Sequence, residues 1–138
     1  MSASLRFQDV SVGDELPPLD VPITPALIIG GAIASNDFTP VHHDKEAARS
    51  QGLSDIIMNI LTTNGYVGRY VTDWAGPDAQ LRELEVKLGA PNMPGDTMKM
   101  TGTVVAADDG VVEIQIIGKN SWGNHVDGTV KLALPAGA

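Results

Sequence analysis

Cysteine is absent from this chain of 138 residues. Without thiols, the protein has neither a disulfide framework nor a thiolate metal site. The absence fits a reducing compartment, and we expect the protein to be cytoplasmic. The length is typical of a single domain, which we expect to span residues 1–138 and which can bury a core without cross-links.

Positive charge is scarce. Nine Lys and Arg residues face 17 Asp and Glu residues, which gives a net charge of −8. Nucleic-acid binding needs a basic face, so we expect no nucleic-acid partner. The negative net charge also disfavours the binding of anionic ligands. A binding site for such a ligand must bring cationic side chains of this chain together or take them from a partner chain. The available cations include Arg49, Arg69, Arg82, Lys87 and Lys99.

Long apolar runs are missing as well. The longest, at 26–34, is far too short to span a bilayer. The first ten residues, MSASLRFQDV, contain no basic segment followed by an apolar stretch, so no secretory signal is expected. We therefore expect a soluble protein without a membrane partner.

Helical signals dominate the first half of the chain. Thr24 can cap a helix over 25–36, and Asp44 can cap a short second helix. Gly30 and Gly31 each cost the first helix roughly 1 kcal/mol relative to alanine, so we expect a backbone or a ligand to approach them closely. Apolar residues at helical spacing predict a longer third helix over 56–74.

The second half of the chain alternates apolar and polar residues with a period of two. The alternation covers 84–88, 98–104, 112–116 and 126–134, with turn signals between these segments. Such a pattern is typical of antiparallel strands with one buried face. One more strand is expected before the helices. The predicted fold class is α+β, with an antiparallel curved sheet wrapped around a long central helix.

Two neighbouring histidines lie in the break between the first two predicted helices. Asp37 precedes His42 by five residues, across a turn that contains Pro40. Such a turn can bring a carboxylate and an imidazole together, and the pair can activate a water molecule and return its proton. From spacing alone, a turn aspartate and a loop histidine remain the commoner interpretation. A metal site is less favoured, because the adjacent His42 and His43 tend to point apart.

The chain contains one further histidine, His125. It falls in the last predicted strand, where we expect it on the surface. No metal and no cofactor are expected.

The segment 35–44, SNDFTPVHHD, resembles the signature of the MaoC-like hotdog hydratases: an Asp, four residues that include a Pro, and then a His. VGDELP at 12–17 and PGDT at 94–97 resemble the N-terminal strand entry and a later turn of the same family. The resemblance covers nearly the whole chain and implies a hotdog fold. Within the family, 37–44, 55–62 and 69–77 look most similar to the small subunits of actinobacterial steroid side-chain enoyl-CoA hydratases.

The resemblance implies a lyase that adds water across the double bond of a trans-2-enoyl-CoA, with a bulky steroid side-chain thioester of sterol catabolism as substrate. Asp37 and His42 would activate the water. The backbone N–H of Asn59, at the start of the central helix, would donate to the thioester oxyanion. The remaining substrate-binding positions implied by the family are Pro40, Val41 and Asn64.

The chain departs from the family pattern at several positions. Met58 and Asn59 stand where the family usually has His-Gly, Thr39 where it commonly has Asn, and Asn64 where a serine is often found. The backbone N–H survives the change at Asn59, so the oxyanion site is reshaped rather than lost.

Two other functions remain open from sequence. The chain can be a non-catalytic hotdog partner that binds acyl-CoA within a hetero-complex, or it can hydrolyse thioesters. A lone hotdog leaves a sheet edge unpaired. We therefore expect a homodimer or a heteromer with a second MaoC-like hotdog subunit.

Overall fold

The computed structural model describes residues 3–137. Residues 1, 2 and 138, at the two ends of the predicted domain, lie outside this range. Residues 1 and 2 also belong to the N-terminal segment in which no secretory signal is expected. None of the helices in residues 3–137 is long and apolar enough to cross a membrane.

The described chain contains one five-stranded sheet and three α-helices. In chain order the elements are β1 (Glu15–Pro22), α1 (Pro25–Ala34), α2 (Lys45–Ser50), α3 (Ile60–Ala75), β2 (Gln80–Leu88), β3 (Thr97–Asp108), β4 (Val111–Asn120) and β5 (Gly123–Ala133). All paired strands are antiparallel, and their order across the sheet is β1-β3-β4-β5-β2. The four predicted late strands and the predicted early strand are confirmed.

The sheet curves around α3. This helix contacts both edge strands, β1 and β2, as well as β5. A single helix reaches both edges of a five-stranded sheet only if the sheet wraps around it. The core between them is apolar, and Met98 and Met100 are fully buried in it. The helix contributes Thr63, Val67, Tyr70, Val71 and Ala75 to its buried side.

The predicted helix starts at Thr24 and Asp44 are confirmed. The Thr24 hydroxyl accepts a hydrogen bond from the backbone N–H of Leu27 at 3.1 Å. The Asp44 carboxylate accepts from the N–H groups of Glu46 and Ala47, the second and third residues of α2. At the other end of α1, Asn36 adopts a φ of 59°, a left-handed conformation that asparagine tolerates better than most residues. The chain therefore turns sharply just before Asp37.

Packing between α1 and α3 explains one of the two adjacent glycines. A Cβ atom at Gly31 would collide with the side chain of Thr62, whereas a Cβ at Gly30 would face open space. The close neighbour of Gly31 is thus a side chain of α3, neither the backbone nor the ligand that we expected.

The central helix begins four residues later than predicted. Residues 56–59 belong to neither a helix nor a strand, and the N–H of Ile57 bonds to Val41 O and the N–H of Met58 to Asn92 O. Asn59 is the N-cap, because its side-chain oxygen accepts from the N–H of Thr62 at 3.0 Å. Ile56, with which the predicted helix began, is buried in the core although it is not part of a helical turn.

The prediction of a surface position for His125 is wrong. This residue is only 2% exposed. Its Nδ1 lies 2.8 Å from the carbonyl oxygen of Ala90, which can only accept, so Nδ1 carries the proton. Its Nε2 accepts from the Thr63 hydroxyl at 2.8 Å, at the base of α3. Burial lowers the pKa of His125, although the Ala90 bond opposes the shift.

Candidate active site

The loop between α1 and α2 carries the predicted catalytic pair. The N–H of Asp37 donates to Ala32 O at 2.8 Å, which anchors the start of the loop to the end of α1. Residues Pro40–His42 form a single 3₁₀ turn. The N–H of His43 and that of Asp44 both bond to Pro40 O, so the turn runs directly into α2.

The turn brings Asp37 and His42 together. Asp37 Oδ2 lies 3.3 Å from His42 Nε2. The side chains are 23% and 11% exposed, respectively, so they are shielded but open to a small reactant. The two side chains that sequence spacing paired are therefore neighbours in the fold.

A backbone carbonyl fixes the tautomer of His42. Its Nδ1 lies 2.7 Å from the carbonyl oxygen of Ile57. A carbonyl only accepts, so Nδ1 carries a proton, and in the neutral ring Nε2 holds the lone pair. When Nε2 gains a proton, the resulting imidazolium faces the Asp37 carboxylate. His42 is thus oriented to take up and return a proton at Nε2.

Asp37 is held as a carboxylate by hydrogen bonds to both oxygens. Its Oδ1 accepts from the hydroxyl of Thr39 at 2.7 Å and from the N–H of the same residue at 3.2 Å. Its Oδ2 accepts from Asn59 Nδ2 at 3.0 Å. These bonds, with the Thr39 hydroxyl first and the Asn59 amide second, lower the pKa of Asp37 from 3.8 to about 2. At neutral pH the group accepts hydrogen bonds and does not supply a proton.

Asn59 is buried at the start of α3. Its side chain bonds to Asp37, to Ser35 Oγ at 2.9 Å and to the N–H and hydroxyl of Thr62 at 3.0 and 2.6 Å. Within residues 3–137, the backbone N–H of Asn59 donates no hydrogen bond. This N–H, at the positive end of the helix dipole, is therefore available as a donor.

The other predicted positions differ in their relation to the pair. Pro40 opens the 3₁₀ turn, and Val41 O accepts from the N–H of Ile57 at 3.1 Å, so both position His42 through the backbone. Asn64 is not joined to Asp37 or His42 by a hydrogen bond in the described chain. Its Oδ1 is buried and has no partner within residues 3–137.

Four groups that orient the pair were not predicted from the sequence: Ser35, Thr39, Ile57 and Thr62. Two of them had a local signal. Asp-x-Thr at 37–39 is typical of a turn closed by the Asp side chain, and Asn-x-x-Thr at 59–62 is typical of a helix N-cap. The Ile57 carbonyl had no signal, because its role depends on a contact 15 residues away in the chain.

Exposed apolar side chains lie on the segments that carry the pair. Ile33, Phe38, Ile60 and Leu61 belong to the segments that carry the site, and each is about half exposed or more. A groove of about 250 Å³ begins at Thr62, between α1 and α3. It is lined by Gly31, Thr62, Gly65, Tyr66 and Arg69. In the part of the chain that is described, no group of three or more His, Asp and Glu side chains is placed to hold a metal ion.

A curved antiparallel sheet around a helix, with an Asp–His pair at the start of that helix, is the arrangement expected for a hotdog-fold hydratase. Residues 8–133 match the family model of the MaoC like domain. The chain belongs to this family, as its sequence motifs predicted.

Solved structures confirm the hotdog fold. The unliganded R-hydratase PhaJ1 from Pseudomonas aeruginosa superposes with a TM-score of 0.88 at 19% identity, covering 97% of this chain and 88% of that one. The (R)-hydratase from A. caviae involved in PHA biosynthesis gives 0.84 at 20% identity, covering 93% and 99%. At these identities the likeness shows the fold alone.

A nearer relative is the 3-oxo-4,17-pregnadiene-20-carboxyl-CoA hydratase beta subunit of Mycobacterium tuberculosis. It is 44% identical over 123 residues, which cover 89% of this chain and 95% of the relative. The crystal structure of the ChsH1-ChsH2 complex from the same organism matches with a TM-score of 0.89 at 44% identity, covering 90% of this chain and 98% of that one. The predicted similarity to steroid side-chain hydratase subunits is confirmed.

Proposed function

We propose that the chain is a catalytic enoyl-CoA hydratase subunit that adds water to a trans-2-enoyl-CoA with a bulky, steroid-like acyl group. One observation carries the proposal: His42 Nε2 lies 3.3 Å from Asp37 Oδ2, while the Ile57 carbonyl fixes the proton on Nδ1. Family membership supports hydratase chemistry in general. The relative named as a pregnadiene-carboxyl-CoA hydratase subunit supports a steroid acyl group and a role in cholesterol catabolism.

The reaction follows from the tautomer of His42. Its Nε2 takes a proton from water as the water oxygen bonds to Cβ of the substrate. The electrons of the double bond move onto the thioester oxygen, which accepts a hydrogen bond from the Asn59 N–H. The imidazolium, stabilised by the Asp37 carboxylate, then returns its proton to Cα on the same face. The charge on the thioester oxygen re-forms the carbonyl as Cα is protonated, so one O–H bond and the C=C π bond break, and one C–O and one C–H bond form.

Apolar surface beside the pair supports an acyl substrate. The groove that begins at Thr62 holds about 250 Å³ and runs past Gly65, which contributes no side chain. Pro40 and Val41 position His42 through the backbone, and Asn64 Oδ1, which has no partner within residues 3–137, offers one acceptor for a substrate or a partner. The net charge of −8 makes cations from a partner chain useful for binding the CoA phosphates.

We propose that the protein acts in a hetero-complex with a second MaoC-like hotdog subunit, a homodimer being the alternative. β2 pairs only with β5 among the described strands, so one of its edges is open. A relative that is 44% identical forms a complex of two different chains. A non-catalytic partner role is the competing function, and the fully bonded Asp37 and the oriented His42 argue against it.

The test is hydration of a steroid trans-2-enoyl-CoA by the chain alone and together with a larger MaoC-like subunit. Asp37→Asn and His42→Ala should each lower kcat by a factor of roughly 10² to 10⁴, since the first removes the charge that stabilises the imidazolium and the second removes the group that transfers the proton. His43→Gln is the matched control, because His43 is exposed and its side chain bonds only to Phe38 O within the described chain.

Full activity of both variants would refute the proposal. Activity that persists when only this chain is altered would assign the chemistry to the partner. Release of free CoA thiol, measured with a thiol reagent, would indicate thioester hydrolysis instead.

A further inference from the structure

We propose that the side chain of Asn59 is a positioning residue for Asp37: it holds the carboxylate in the orientation that faces His42 while it caps α3. The catalytic consequence rests on the hydratase function proposed above, but the positioning itself does not. The proposal concerns the side chain alone, whereas the oxyanion role belongs to the backbone N–H of the same residue.

Every hydrogen-bonding group of the Asn59 amide is occupied. The NH₂ group donates to Asp37 Oδ2 at 3.0 Å and to Ser35 Oγ at 2.9 Å. The amide oxygen accepts from the N–H and the hydroxyl of Thr62. Turning the amide over would place its oxygen against the Asp37 carboxylate and its NH₂ against the Thr62 N–H. The network therefore permits one orientation only.

The network joins two helices through the reactive carboxylate. Ser35 lies at the end of α1, where its hydroxyl donates to Gly31 O at 2.7 Å and thus accepts from Asn59. Asn59 caps the start of α3 and is only 2% exposed. Hydrogen bonds in such a buried setting are stronger than the same bonds in water. The position of Asp37 is therefore tied to the packing of α1 on α3.

Asparagine is the one residue of its size that meets both demands. Serine and aspartate cap helices well but have no NH₂ group to donate to a carboxylate. Glycine, which the family pattern usually has here, makes neither side-chain bond. This chain thus orients its catalytic carboxylate with a group that a glycine-containing site lacks.

Loss of the Asn59 donor has a specific chemical consequence. Asp37 Oδ2 would keep His42 as its only partner within the described residues, and the carboxylate would be held only at Oδ1, by the two hydrogen bonds from Thr39. A misplaced carboxylate stabilises the imidazolium less well in the transition state, so kcat falls more than KM changes. The basicity of Asp37 also rises, because a hydrogen bond to its charged form is lost.

The experiment compares Asn59→Asp and Asn59→Gly with the wild-type chain. Asn59→Asp is nearly isosteric and still caps α3, but it replaces the donor with a second carboxylate. Thr24→Ala is the matched control, because it removes the N-cap bond at the far end of α1 and leaves the pair intact. The readouts are the NMR titration of the Asp37 carboxyl carbon, without substrate, and kcat and KM for steroid enoyl-CoA hydration with the partner subunit present.

We expect the Asp37 titration to move to higher pH in both Asn59 variants, and further in Asn59→Asp, where two carboxylates share one site. We expect kcat to fall roughly tenfold or more with KM within about twofold. Thr24→Ala should leave the Asp37 titration in place. If Asn59→Gly does not fold, Asn59→Asp decides the question.

An unchanged Asp37 titration in the Asn59 variants would overturn the positioning role. A shifted titration with unchanged kcat would overturn its catalytic consequence. A shifted titration in a chain that shows no hydration even as wild type would leave the positioning intact and refute the proposed hydratase function, so the two failures are distinguishable.

Discussion

At the scale of single residues, the site separates two tasks between two side chains. Asp37 accepts hydrogen bonds on both oxygens, which lowers its pKa to about 2 and keeps it ionised. His42 has one nitrogen bound to the Ile57 carbonyl and the other directed at Asp37. In the proposed reaction, proton transfer therefore falls to His42, and Asp37 provides the charge that stabilises the protonated ring.

The positions of Asp37 and His42 were predictable from sequence, because both lie in one short loop and their spacing is local. The groups that orient them were predictable only in part. Thr39 lies two residues from Asp37, within reach of a local pattern. The bond from Asn59 to Asp37 spans 22 residues and depends on the packing of two helices, which no local pattern encodes.

The buried His125 predicts a pH dependence of stability. Its pKa is lowered from 6.5 in the folded chain, so the unfolded chain binds the proton first as pH falls. The free energy of unfolding should therefore decrease below about pH 6.5, by at most about 1.4 kcal/mol per pH unit from this group. Urea denaturation at pH 7.5, 6.5 and 5.5 measures the effect.

His125→Gln is the matched variant for that measurement, since glutamine keeps one donor and one acceptor but does not titrate. We expect its free energy of unfolding to fall less over the same range than that of wild type. The same pH dependence in both proteins would show that His125 is not the titrating group.

At the scale of secondary structure, the contact between α1 and α3 governs the site. Gly31 lies against Thr62, and Thr62 bonds to the Asn59 side chain that holds Asp37. A change in the spacing of the two helices is therefore transmitted to the carboxylate through two hydrogen bonds. The small residue at Gly31 is required by this packing and not by its backbone conformation.

Adjacent glycines provide a matched pair of variants. Gly31→Ala should destabilise the fold by roughly 1–3 kcal/mol, because the added methyl collides with Thr62. Gly30→Ala should stabilise it by up to about 1 kcal/mol, since its methyl meets open space in a helix. Thermal unfolding distinguishes the two. Equal effects would show that α1 does not pack on α3 as described.

The helices and strands were largely predictable from sequence, and the errors have physical causes. Thr24 and Asp44 were predicted correctly as N-caps, because a capping residue can be recognised from the local sequence. The start of α3 was placed four residues early, because Ile56 lies one helical turn before Ile60 in sequence, although its side chain is buried in a segment that is not helical. His125 was misplaced because an imidazole is buried only when distant partners, here Thr63 and Ala90, satisfy both nitrogens.

At the scale of the whole molecule, the open edge of β2 is the main unsatisfied feature. The strand is nine residues long, and Leu81 and Leu88 on it are 47% and 36% exposed. An exposed strand edge favours pairing with another chain. The alternation of the late strands was enough to predict an antiparallel sheet with such an edge, but not which chain covers it.

We expect the protein to be larger than a monomer at micromolar concentration. Light scattering of the chain alone, and of the chain mixed with a larger MaoC-like subunit, measures this directly. A heteromer should form at the expense of any homodimer when the partner is added. A monomeric mass under both conditions would contradict the account of the β2 edge.

The most direct test of the central claim, that Asp37 and His42 act as one unit in hydration, is a double-mutant cycle. It measures kcat/KM for a steroid enoyl-CoA with Asp37→Asn, His42→Ala and the double variant, in the complex with its partner subunit. We predict that the double variant is about as impaired as the more damaged single variant, since either change disables the pair. Losses that multiply, or single variants with wild-type rates, would contradict the claim.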